Sequence, residues 1–190
     1  DKGMTIYLIR HGMTKGNEEK RYVGGRTDED LSPAGAESLR KKIYPKVQQV
    51  FSSPMKRCIR TAEILYPGKE IFVVEEFRET DFGSFENKNY EELKGEKEYR
   101  DWLLAGGRGD FPGGEPREEV RKRVMQGFDK VMFKVWSQNL KESALIVHGG
   151  TIMHLMEAYG GEKKDFYEYQ IGNGEYLSLS ITEDLRGGRR

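Results

Sequence analysis

Apolar residues in this chain fall into two patterns that alternate along its length: short strand-length segments and stripes at helical spacing. The segments at residues 6–9, 47–51, 71–74, 144–147 and 176–181 are four to six residues long and rich in β-branched and aromatic side chains, which predicts strands. Between them, Ser32-Pro33 offers a capping hydroxyl and a first-turn proline for a helix reaching about Lys42, and Ser52-Ser53-Pro54 repeats the signal. Met55, Cys58, Ile59, Ala62 and Leu65 then form one apolar stripe, with Arg57 and Arg60 off it. Val120, Val124, Phe128, Val131 and Val135 mark one face of a long helix. Its first turn holds Pro116 and several acids, where the helix dipole favours negative charge. Shorter helices are predicted over residues 99–104 and 151–159. Strands alternating with helices imply an α/β fold with a largely parallel sheet covered on both faces, and the alternation in residues 176–181 marks an edge strand. Residues 12–31 read as a polar, glycine-bearing loop. Residues 75–89 are too irregular for one element, and long segments of that kind in a compact domain are usually functional or mobile.

Composition narrows the picture. A chain of 190 residues can bury a full core without staples, so a single domain is expected over residues 4–183, with residues 1–3 a remnant ahead of an initiating Met4 and residues 184–190 a frayed basic tail. Lysine plus arginine and aspartate plus glutamate both total 32, which argues against a nucleic-acid or anionic-membrane surface and leaves basic residues to act locally. The single cysteine, Cys58, rules out an internal disulfide and fits a reducing compartment, so a cytoplasmic location is expected. No apolar stretch approaches the length of a membrane span, and the sequence leaves the oligomeric state open.

Candidate chemistry collects at the strand exits. Arg10-His11-Gly12 follows the first apolar run, and His148-Gly149-Gly150 follows the fourth, so two of only three histidines stand where ligands gather in open α/β sheets. A following glycine lets a ligand approach the backbone. An arginine beside a candidate nucleophile suggests phosphate, because a phosphomonoester carries nearly two charges that donors must neutralise and orient before attack. Arginine's planar fork suits that task, and Arg57 near a helix start is the second candidate after Arg10. Neighbouring cations keep an imidazole unprotonated near neutrality, which fits His11 as a nucleophile dividing hydrolysis into two transfers. The leaving oxygen needs a proton, and Glu75, Glu76, Glu79, Asp81 and Glu86 are all available in the irregular segment; spacing does not choose among them.

Three other readings compete. A metal hydrolase would gather His11, His148 and His154, but the last two are six residues apart and share no helix face. A cysteine phosphatase would need Cys58 in a phosphate loop, whereas the apolar stripe makes it a core thiol. A non-catalytic phospholigand-binding module would keep the arginines and lose the nucleophile or the acid.

Arg10-His11-Gly12, Thr14, Asn17, Gly24, Leu31-Ser32-Pro33 with Gly35, Ser52-Ser53-Pro54 with Arg57 and Thr61-Ala62-Glu63, Phe77-Arg78-Glu79 with Phe82-Gly83, and Val147-His148-Gly149 occur in order. This set resembles the histidine phosphatase superfamily, also called phosphoglycerate mutase-like. The resemblance implies a three-layer α/β/α sandwich and a phosphohistidine intermediate needing no metal or cofactor. It implies His11 as nucleophile, Arg10, Arg57 and His148 as the phosphate pocket, and Glu79 as proton donor. Thr14, Asn17, Val23, Gly24 and Gly149 are the expected phosphate or substrate contacts. The substrate would be a small phosphomonoester. Met13 stands where the family usually has glutamate, Asn87 where glycine is common, and Phe82 where the mutases carry tyrosine. That last change, with the chain's shortness, favours hydrolysis over cofactor-dependent phosphoglycerate mutation. The Phe111-Pro112-Gly113-Gly114-Glu115 turn resembles that of alpha-ribazole phosphatase and broad-specificity phosphatases, although Pro116 replaces their usual serine.

Overall fold

Five strands, β1 (Met4–Arg10), β2 (Gln49–Ser52), β3 (Ile71–Val73), β4 (Glu142–Val147) and β5 (Tyr176–Ile181), form one sheet in the order β3-β2-β4-β1-β5. This is a computed structural model, and it describes residues 3–182. Strands β1 to β4 pair in parallel, and β5 closes one edge antiparallel to β1. The apolar runs of β1 and β4 occupy the middle of the sheet because both of their faces are covered, and a polar residue there would lose its water on either side. Period-two alternation sends Ile6, Leu8, Leu145 and Val147 into one core, beneath α6 (Arg117–Ser137) and α7 (Gly149–Tyr159). Ile9, Ala144 and Ile146 enter the other, with Cys58 and Ala62 of α3 (Lys56–Leu65), against which α2 (Pro33–Arg40) packs. The result is the three-layer α/β/α sandwich.

Several local expectations need correction. The second strand begins at Gln49 rather than Val47, and α7 begins at Gly149, so the glycine pair lies in its first turn. The loop at residues 12–31 contains one helical turn, α1 (Lys15–Glu18), in which Thr14 Oγ1 accepts the Asn17 amide and Asn17 Oδ1 accepts the Thr14 amide, each at 3.0 Å. Four residues are too few to show a helical period. Ser32 caps α2 as expected, accepting the Gly35 amide at 3.0 Å. Ser52-Ser53-Pro54 caps nothing: α3 starts after Met55, and the Ser53 hydroxyl accepts the Met55 amide while turning toward His148. The irregular segment forms two short 3-10 turns, Glu75–Phe77 and Gly83–Phe85, followed by α4 (Tyr90–Leu93) and α5 (Lys97–Leu104). Phe77 enters the main core, while Phe82 and Phe85 join a separate cluster outside the sheet, where Phe85, Leu93 and Tyr99 pack with Tyr22, Phe82, Trp102 and Phe111. Asn87 has φ +59°, a left-handed conformation that glycine and asparagine adopt most readily, so the departure there from the family's glycine preserves the backbone. The basic tail at residues 184–190 lies outside the described residues, as do Asp1 and Lys2.

Candidate active site

The parallel ladder of β1 and β4 ends with Arg10 opposite Val147, so His11 and His148 leave neighbouring strands at the same level. The His11 amide extends the ladder by donating to the Val147 carbonyl at 3.1 Å, and the two imidazole rings lie 5.3 Å apart, edge to face at 67°. Both are buried. His11 Nδ1 lies 2.6 Å from the Gly12 carbonyl. A carbonyl oxygen only accepts, so Nδ1 carries the proton and the lone pair of the neutral ring falls on Nε2. Burial, then the Arg57 and Arg10 charges, holds the His11 pKa well below the ordinary histidine value, with the Gly12 bond opposing. Nε2 is therefore a free base at neutral pH.

Arg57 is the largest fully buried side chain of the described residues. Lying off the apolar stripe does not expose it, because the loop at residues 12–31 folds over it with its carbonyls. Its Nη1 donates to Thr27 O at 2.6 Å, and its Nη2 to Val23 O and Gly24 O at 3.2 Å each. The Arg57 carbonyl accepts the Thr61 hydroxyl at 2.7 Å, and that hydroxyl accepts the Gly12 amide at 2.9 Å, which ties the arginine to the turn carrying His11. Arg10 donates from Nη1 to Ile171 O at 2.6 Å. In both arginines the buried Nε–H has no acceptor among the described residues. A buried guanidinium donor left unpaired is costly, and two of them beside His11 and His148 form a receptor for the oxygens of an anion.

His148 is the N-cap of α7, so the positive end of an 11-residue helix faces the same place. Ser53 Oγ lies 2.8 Å from His148 Nε2. The first turn of α7 also joins Arg10 to Glu79: a Cβ on Gly149 would lie 3.4 Å from Arg10 Nε, and one on Gly150 3.5 Å from Glu79 Oε1. Burial raises the Glu79 pKa, against the lowering effect of the Thr80 amide at 2.8 Å and of Arg57 and Arg10. A carboxyl tuned upward beside an anion site can hold a proton near neutrality.

The structure thus brings His11, His148, Arg10, Arg57, Glu79 and Gly149 together. Thr14 and Asn17 meet this group through α1, where Asn17 Oδ1 also accepts from Asn173 Nδ2 at 3.2 Å. No described group accepts from the side-chain Nδ2 of Asn17, which remains available to a ligand, whereas its backbone N–H is held by Thr14. Val23 and Gly24 contribute their carbonyls to Arg57, and the Gly24 amide is held by Glu86 at 3.1 Å, so neither presents a free backbone donor. Gly12 is small for packing rather than for ligand approach, since a Cβ there would lie 2.8 Å from Leu39 Cδ1. Two residues were not anticipated in these roles. Ser53 holds His148, and Asn173 donates to the His11 carbonyl at 3.2 Å from the turn before β5. The Gly172-Asn173-Gly174 sequence was the signal for the second, as a turn that brings a side-chain amide back to the sheet edge.

His154 lies apart from this cluster, its ring tilted at 59° against Phe166 with centroids 4.8 Å apart, and its pKa is pushed down to about 4 by burial, then by Arg117 and its neighbours. The Cys58 thiol sits 3.6 Å from His148 Nε2, and burial pushes it up to about 12, so it is not a thiolate nucleophile. Among the described residues, no three His, Cys, Asp or Glu side chains gather to hold a metal ion, and no helix is long and apolar enough to cross a membrane.

The sequence profile of the histidine phosphatase superfamily (branch 1) matches residues 6–187, and the chain belongs to that superfamily. Phosphoserine phosphatase 1 of Hydrogenobacter thermophilus is 27% identical over 188 residues, covering 94% of this chain and 87% of that protein. A phosphoglycerate mutase from Thermus thermophilus superposes with a TM-score of 0.66 at 29% identity, over 92% of each chain. The alpha-ribazole phosphatase of Shigella flexneri shares the fold at a TM-score of 0.77 and 20% identity, over 95% of this chain and 92% of that one.

Proposed function

We propose that the protein is a phosphomonoester hydrolase working through a phosphohistidine on His11. The observation that carries this reading is the pairing of a neutral His11, its lone pair set on Nε2 by the Gly12 carbonyl, with two buried guanidinium Nε–H donors that lack an acceptor. Arg10, Arg57, His148 and the side-chain Nδ2 of Asn17 take the phosphoryl oxygens. His11 Nε2 attacks phosphorus as the ester P–O bond breaks, and protonated Glu79 gives its proton to the departing alkoxide. Glu79, now a carboxylate, takes a proton from the water that attacks the phosphohistidine, releasing orthophosphate and restoring both groups.

Arginines supply the charge here, so hydrolysis of an aryl phosphate should continue at an undiminished rate with excess chelator. Loss of activity restored by zinc or magnesium would refute the metal-free route. Stopping turnover with alkali should trap an acid-labile, alkali-stable phosphoryl adduct on His11, read by peptide mass spectrometry. Substitution of Glu79 by glutamine should slow alkyl phosphates by about 10²–10³ and aryl phosphates much less, because good leaving groups need little protonation. With an alkyl ester, wild-type activity should fall as pH rises through the upward-shifted Glu79 pKa, because the donor then loses its proton; Glu79→Gln should lack that alkaline limb. Equal slowing of both ester classes would remove Glu79 from the donor role.

Relatives of both kinds, phosphatase and mutase, surround this chain. Phe82 at the rim, in place of the mutases' tyrosine, supports transfer to water. Orthophosphate release should exceed 3-phosphoglycerate isomerisation primed with bisphosphoglycerate, and the reverse ranking would make the protein a mutase.

A further inference from the structure

A cavity of about 210 Å³ opens beside Glu79 and runs past Gly150 at the start of α7. Glu79 belongs both to its wall and to the neighbourhood of Arg10 and Arg57, whose charges act on the Glu79 carboxyl. The ester oxygen protonated by Glu79 would lie at the cavity mouth, which makes the cavity the place for the alcohol portion of the substrate.

Its wall is mainly aromatic: Tyr22, Phe82, Trp102, Phe111, Phe166 and Tyr167 all face it. These rings come from five separate segments, including the two stretches of sequence without a period, and they hold one another in edge or tilted contacts. Phe82 and Phe111 have centroids 4.8 Å apart, and Trp102 and Phe111 are 5.3 Å apart. Charge is scarce. Among the described residues that line it, Arg117 is the one cation, and its Nε and Nη2 already donate to Gly109 O at 2.9 Å and Gly107 O at 2.7 Å, while its guanidinium lies 4.9 Å from the Phe111 ring centre. His154, the other basic residue there, is neutral at physiological pH.

A carboxylate or zwitterion entering this space would give up its hydration and meet a single cation with two of its nitrogens already engaged. A flat ring would lose little hydration and gain stacked and edge contacts on several sides. Size agrees, since an apolar cavity of about 150 Å³ takes benzene, which leaves room here for about one ring with substituents or two fused rings.

We propose that the substrate's alcohol portion carries a flat aromatic or heteroaromatic group that stacks in this cavity while its phosphate rests on His11. The proposal builds on the phosphatase reading above. The test compares kcat/KM for quinolin-6-ylmethyl phosphate with those for glycerol 3-phosphate, O-phosphoserine and 3-phosphoglycerate. All four leave as alkoxides, so a preference reports the cavity rather than leaving-group reactivity. The arylmethyl ester should be preferred by about thirtyfold or more, and Trp102→Ala and Phe166→Ala should each reduce the aryl-to-glycerol ratio about fivefold or more. Thermal melts confirm that each variant is folded, and two variants from different segments keep the test alive if one is not. Calorimetric titration with quinolin-6-ylmethanol should show binding to the wild type that weakens in Phe166→Ala.

A preference for phosphoserine or phosphoglycerate, or an unchanged ratio in both variants, would overturn the cavity assignment and leave the phosphatase reading standing. Failure to release phosphate from any ester would sink the phosphatase reading, and the titration with the alcohol would still decide whether the cavity takes a ring.

Discussion

With His11 replaced by alanine, hydrolysis of an aryl phosphate falls by about four orders of magnitude or more, while the circular dichroism spectrum and melting temperature stay near those of the wild type. The rate effect is large because no described group can stand in for the lost base. His148 is the nearest imidazole, but Ser53 occupies its Nε2 and Cys58 lies against it. Stability should change little, because His11 makes its ladder bond through the backbone and its ring bonds only to the adjacent carbonyl. The alanine variant should also give no alkali-stable adduct. A clean preparation retaining wild-type turnover would place the nucleophile elsewhere.

Arg57→Ala is expected to damage fold and activity together. Removing the guanidinium strands the carbonyls of Val23, Gly24 and Thr27 in a buried site, at a cost of about 3 kcal/mol or more, which for a chain of this length lowers the melting temperature by about 6–12 °C. It also removes a donor from the anion receptor, so kcat/KM should fall by about 10³. Orthophosphate should raise the melting temperature of the wild type through mass action, and the variant should lose most of that response. Lysine at this position keeps the charge but not the fork, so it should recover part of the phosphate response and little of the stability. A variant that melts like the wild type and still gains from orthophosphate would show that Arg57 neither clamps the loop nor faces the anion.

Fold and site were legible in the sequence to different degrees. The buried runs of β1 and β4 and the stripe of α6 stand out because burial on both faces of a sheet, or along one face of a helix, writes a strong period into the chain. The alternation of those elements implied a largely parallel sheet covered on both faces, and the resemblance to the histidine phosphatases implied the three-layer sandwich. Glu79 could not be separated from its acidic neighbours by spacing, because what distinguishes it is the approach of α7, some 70 residues further along. Arg57 sits off the apolar stripe in sequence yet is fully buried in space, because carbonyls from a loop about 30 residues earlier replace the water it loses. No local pattern records a partner of that kind. Ser53 carried a real capping signal, but its hydroxyl bonds a histidine 95 residues away.

The register of β1 on β4 has a further consequence. Arg10 opposite Val147 means that the two imidazoles come from opposite ends of the chain and share one location only when the middle of the sheet is complete. No fragment that separates the first strand from the fourth can keep half of the chemistry. The protein is, in this sense, indivisible: a rearranged or split gene product must rebuild the central ladder before it can process a single substrate molecule.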